Sequence, residues 1–108
     1  MEQVKRKMVI AIIQADDRRK LGHLLVERGF RATQLNSTGG FLHVGNATLM
    51  IGVEESKLID LLNTIQEVCL PRQQIISDPT YFGDESPIEI TIGGATVFIM
   101  DIDQYIPV

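Results

Sequence analysis

Cysteine is almost missing from this chain: Cys69 stands alone among 108 residues. One thiol cannot close an intramolecular disulfide, and with no Cys or His beside it Cys69 cannot anchor a thiolate zinc site. It falls in an apolar helical pattern and reads as structural. Histidine is scarce as well. His23 sits in a helical stretch and His43 in a glycine-rich one, and no spacing ties either to a partner that would complete a nucleophilic set. An enzyme is therefore not expected. Long apolar runs are lacking too, since Met8 to Ile13 is too short for a membrane span or a signal core and Met1 to Lys7 is polar. The expectation is a cytoplasmic protein without a membrane partner. Nor is there an excess of positive charge: 10 Lys and Arg against 14 Asp and Glu leave a net charge of −4, which argues against a nucleic-acid polymer as partner. The basic residues at Lys5-Arg6-Lys7, Arg18-Arg19-Lys20, Arg28 and Arg31 could still accommodate a small anion. Apart from Arg31 they read as solvated charges. Asp101 with Asp103, and Asp84 with Glu85, lack the spacing of a metal loop and read as exposed carboxylates, so no metal or cofactor is expected.

What is present describes one compact domain over residues 1–108, with an apolar fraction of 44% and a charged fraction of 22%. Met8 to Gln14 is a β-rich run suited to a central strand. A helix over roughly Asp17 to Arg28 follows, with Asp16 or Asp17 as N-cap, an apolar stripe of Leu21, Leu24, Leu25 and Val26, and Gly29 as C-cap. Phe30 to Ser37 alternates apolar and polar residues as a half-exposed strand does. Gly39-Gly40 then breaks the pattern, and Asn46 to Val53 returns as the other strand of a hairpin. Glu54, Glu55 and Ser56 can open a second helix whose stripe is Leu58, Ile59, Leu61, Leu62, Ile65 and Val68, closed by Pro71. Arg72 to Pro87 reads as a loop, and Ile88–Ile92 with Ala95–Met100 as a hairpin about Gly93-Gly94. The order βαββαβ with an extra strand from the last hairpin predicts an α+β, ferredoxin-like antiparallel sheet with both helices on one face. Ile10, Ile12, Leu49, Ile51, Val97 and Ile99 put apolar side chains on both sides of that sheet. Two helices can cover only one side, so self-association is expected, and Ile51 is a candidate for the neighbour-facing side.

The segment with most chemistry runs from Phe30 to Thr48. Its glycines free backbone N–H groups to turn toward a ligand, Arg31 offers a forked cation, Thr33 a hydroxyl, Phe41 an apolar face and Asn46 an amide. That inventory suits a nucleotide. A glycine pair beside an aromatic also serves plain hairpins, so chemistry alone leaves a ligand site and a structural turn both open.

The string FRATQLNSTGGFLHVGNATLMIGV, followed by IGGATVFIM, resembles the PII-like cyclic-di-AMP receptor family, of the PstA/DarA type known from Gram-positive bacteria. The similarity covers nearly the whole chain. It implies a homotrimer with three ligand sites in the clefts between subunits, a signal-transduction role relayed through mobile loops, and an unknown downstream protein. It also implies that Arg31, Thr33, Phe41, Leu42, Asn46 and Gly52 match positions that contact the dinucleotide. Thr33 and the backbone near Phe41 would serve a phosphate, Asn46, Gly52 and Leu42 an adenine, and Arg31 would add positive potential. Three departures stand against a full transfer. Gly29 replaces an asparagine found in many members, the loop 72–87 is shorter, and Pro107 replaces a polar residue that can reach adenine. Each lost hydrogen bond is worth about 0.5–1.5 kcal/mol, together about one to three orders of magnitude in affinity. The alternatives are a PII-like sensor of another adenine nucleotide or anionic metabolite, and a structural trimer without ligand.

Overall fold

The computed structural model describes residues 4–35, 46–69 and 94–108, together with the backbone of 88–92. The expected Gly39-Gly40 turn, the loop 72–87, Pro71, His43 and the Asp84-Glu85 pair lie outside the described residues. Five strands, β1 (Arg6–Gln14), β2 (Arg31–Leu35), β3 (Asn46–Glu54), β4 (Ile88–Ile92) and β5 (Ala95–Asp101), form one sheet in the order β2-β3-β1-β5-β4. Every neighbouring pair is antiparallel. Helices α1 (Arg18–Glu27) and α2 (Leu58–Val68) complete the βαββαβ order, each preceded by a short 3-10 turn. The ferredoxin-like expectation holds, with β4 as the additional strand at the sheet edge.

The period-2 alternation of a strand decides which side chains meet the helices. Along β1, Val9, Ala11 and Ile13 are buried while Met8, Ile10 and Ile12 are only half-buried. Register carries this split across the sheet, because Val9 lies opposite Ile51 and Ile99, and Ala11 opposite Leu49 and Val97. These residues join Leu21 and Leu25 of α1 and Leu58, Leu61, Leu62 and Ile65 of α2 in a single core. Ile51 is fully buried there, so it belongs to the subunit's own core and not to the neighbour-facing side. The reason is parity: Ile51 faces the way Val9 does, whereas Ile10 and Ile12 face the other way.

Gly29 ends α1 as expected. Its φ of 83° lies in the left-handed region that favours glycine. The Gly29 N–H donates to the Val26 carbonyl at 3.1 Å and the Phe30 N–H to the Leu25 carbonyl at 2.8 Å, the two bonds of a Schellman motif. Phe30, 8% exposed, adds the motif's apolar contact and starts the chain toward β2. The helix N-termini differ from expectation, since neither Asp17 nor the Glu54–Ser56 stretch makes a side-chain cap bond. Val26 also departs from the stripe and is 75% exposed, because position 26 is turned about 100° from Leu25 on a helix.

Several charges read as solvated are paired. Lys7 is buried, ion-pairs with Asp101 on the neighbouring strand and lies 3.6 Å from Glu55. Arg28 makes a two-pronged bond to Glu67 at 2.9 and 3.1 Å and donates to the Thr64 hydroxyl at 3.0 Å, linking the end of α1 to α2. Cys69 is fully buried after α2, and its carbonyl accepts from the Gly94 N–H at 3.0 Å, which ties the helix end to the β4–β5 hairpin. Burial, with a smaller push from the Asp17 carboxylate to which the thiol donates, raises its pKa from 9.0 to about 12. At neutral pH the thiol is thus held in its protonated form.

Candidate functional site

The sheet face away from the helices has an apolar middle and a polar margin. Met8, Ile10 and Ile12 of β1, Met50 of β3 and Phe98 and Met100 of β5 share it through their register and are all half-buried. No described helix covers this band. Beside it lies β2, the edge strand, whose residues are exposed from Arg31 to Leu35. The expected alternation of burial is absent there: β2 has a single neighbouring strand, β3, and none of its residues is covered. Arg31 pairs with Gly52, Thr33 with Met50, and Leu35 with Thr48. By parity Arg31, Thr33 and Leu35 share the open face with Asn46, Thr48, Met50 and Gly52.

Four of the six site residues anticipated from sequence therefore lie on one face of the β2–β3 pair: Arg31, Thr33, Asn46 and Gly52. Phe41 and Leu42 fall outside the described residues. Arg31 and Gly52 are direct cross-strand partners, but Asn46 and Gly52 are separated by about 20 Å of strand. They form a strip and not a single pocket. Gly52 is exposed, and a Cβ built on it would meet nothing within 4 Å, so neither turn geometry nor packing within the subunit explains a glycine in the middle of a strand.

Three features escaped the sequence. Arg6 lies on the same face near the Gly52 end, with its guanidinium carbon 4.5 Å from the centre of the Tyr105 ring. Around it Val4, Ile102, Tyr105 and Ile106 line a groove of about 380 Å³, and Pro107 follows directly in the exposed tail. The third is Thr48. Only 5% exposed, it has a buried hydroxyl oxygen with no hydrogen-bond partner, the only such side-chain atom among the described residues. A polar residue between apolar strand positions was the available signal; it lies within the string quoted above but was not counted as a site residue. Among the described residues no cluster of His, Cys, Asp or Glu could hold a metal ion, and no helix is long and apolar enough to cross a membrane.

A family model described as cyclic-di-AMP receptor matches residues 6–108. The chain belongs to that family. A protein of unknown function from Pediococcus pentosaceus is 35% identical, with a TM-score of 0.70, over 98% of this chain and all of the other. More distant folds agree. The Arabidopsis thaliana PII protein bound to citrate is 18% identical with a TM-score of 0.59, over 98% of this chain and 82% of its own. A PII-like protein of Thiomonas intermedia bound to ADP, AMP and bicarbonate is also 18% identical, with a TM-score of 0.53, over 96% of this chain and 97% of its own. The architecture is that of the PII-like proteins, and the family is one of nucleotide-sensing receptors.

Proposed function

We propose that this chain is a cytoplasmic signal-transduction receptor that binds cyclic-di-AMP in the clefts of a homotrimer, without catalysis or cofactor. One observation carries the reading: the open sheet face sets an apolar band directly beside the strip Arg31, Thr33, Asn46 and Gly52. The band supplies what a second subunit would cover, and the strip supplies cation, hydroxyl, amide and an unobstructed backbone at the margin of that contact. A dinucleotide held there would touch two subunits at once. Phe41 and Leu42 complete the proposed contact set. Relay to a downstream protein would pass through the glycine segment and the 72–87 loop.

A thermal-shift panel of cyclic-di-AMP, cyclic-di-GMP, ATP, ADP and AMP, run with light scattering, tests the reading, because a ligand that binds only the native state raises its melting temperature. A shift largest with cyclic-di-AMP on a particle of three subunits is expected. A monomer at micromolar concentration contradicts the assembly. A larger shift with ATP, ADP or AMP favours the second reading, a sensor of another adenine nucleotide. Gly29, Pro107 and the short loop, which depart from the family pattern, support that reading, as does the related fold bound to ADP and AMP. No shift with any nucleotide leaves a structural trimer.

A further inference from the structure

Thr48 has the one buried side-chain oxygen among the described residues that lacks a partner. Its register neighbours on the open face are Ile12 of β1 and Leu35 of β2, both apolar. Valine would fill this place with the same shape and no unpaired hydroxyl. Keeping the hydroxyl is costly unless something outside the subunit's own fold uses it.

The position says what that could be. Thr48 is two residues from Asn46 on the same strand, about 7 Å away, and diagonal to Thr33 on β2, about 7–8 Å away. It is the residue that joins these two otherwise separate polar positions into one continuous row. Its apolar neighbours and its burial would make a bond formed there stronger than one formed in water.

We infer that Thr48 is a ligand-contacting residue, whose hydroxyl bonds to a phosphate oxygen or base edge of the nucleotide lying between Thr33 and Asn46. This rests on the nucleotide-receptor reading above and adds to it a residue that reads nucleotide occupancy from beneath the polar row. Because the hydroxyl is covered in the free subunit, binding requires a local rearrangement to expose it. That separates it from Thr33 and Asn46, which are exposed beforehand.

Thr48→Val and Thr48→Ser test the assignment on the full chain, with calorimetric titration of cyclic-di-AMP and AMP, melting temperature and light scattering. Valine should leave the melting temperature of the free protein equal or higher and weaken nucleotide binding about tenfold. Serine, which keeps the hydroxyl, should bind within about threefold of wild type. Unchanged affinity for Thr48→Val, with wild type binding normally, overturns the assignment and leaves the receptor reading intact. A change of particle mass in ligand-free Thr48→Val also overturns it, because the hydroxyl would then serve a subunit contact. Wild type that binds no nucleotide removes the receptor reading and this inference with it.

Discussion

Val9 and Ile10 are neighbours in β1 and meet opposite surroundings. Val9 is fully buried under the helices, whereas Ile10 is half-buried on the face no described helix covers. The same division runs through β3, where Ile51 is buried and Gly52 is exposed, and through β5, where Val97 is buried and Phe98 is half-buried. The covered face is filled by aliphatic side chains and needs nothing more. The other face is apolar in its middle, polar at its β2 margin, and contains a bare glycine and an unpaired hydroxyl. One face holds the subunit together, and the second is the face on which the proposed subunit contact and ligand strip lie.

The contrast should break most sharply between Ile51 and Ile10. Ile51→Ala should cost about 2–5 kcal/mol of subunit stability in denaturant unfolding, as expected for emptying a fully buried aliphatic site. Ile10→Glu should keep the circular-dichroism spectrum of the folded subunit but shift light scattering toward the monomer. If it unfolds the subunit instead, the open face belongs to the core after all.

Smaller effects test the edges of the covered face. Asp101→Asn removes the closest partner of buried Lys7 and should cost about 1–3 kcal/mol. Lys7→Met should cost less, because it removes the buried charge together with the bond. Equal losses would show that the Lys7 ammonium group is held by more than Asp101, Glu55 at 3.6 Å being one further partner. Gly29→Ala should cost about 1 kcal/mol through backbone strain alone, since nothing lies within 4 Å of a built Cβ. Gly29→Asn should cost less, because asparagine tolerates the left-handed region.

Gly52→Ala should leave the subunit equally stable or more stable by about 0.5–1 kcal/mol, because glycine is unfavourable in a strand and the added Cβ has space. Nucleotide affinity should nonetheless fall, and unchanged affinity in titration would detach Gly52 from the strip. A test of a different kind, by pH, concerns Cys69. Its folded pKa is raised from 9.0 to about 12, so its contribution to stability is complete below pH 9 and lost as pH rises toward 12. Unfolding curves of wild type and Cys69→Ala should therefore converge between pH 9 and 12. Parallel curves would contradict burial of the neutral thiol.

Much of this molecule was legible in its residues. Helical stripes such as Leu58, Leu61, Leu62 and Ile65, the alternation in β1 and the stop at Gly29 are local patterns, and local patterns reflect backbone geometry directly. Helix caps were less legible, because an acidic residue near a helix start can find other work. Asp17 lies against the Cys69 thiol, more than fifty positions away in the chain. Lys7 was read as solvated for the same reason, since its partner Asp101 comes from the far end of the sequence.

The candidate site divides in the same way. Glycines, a lone arginine and the string from Phe30 to Thr48 marked the segment and the family, because residue type and order are written in the chain. Which residues share a face was decided by strand register, and a shift of one residue would have exchanged Ile51 for Gly52 and Thr33 for Gln34. Sequence alone thus determined the elements, the family and the chemistry on offer. Only the tertiary structure decided that Ile51 is core, that Arg31 stands opposite Gly52, and that the Thr48 hydroxyl is left unpaired, because burial and pairing depend on neighbours that the fold brings together.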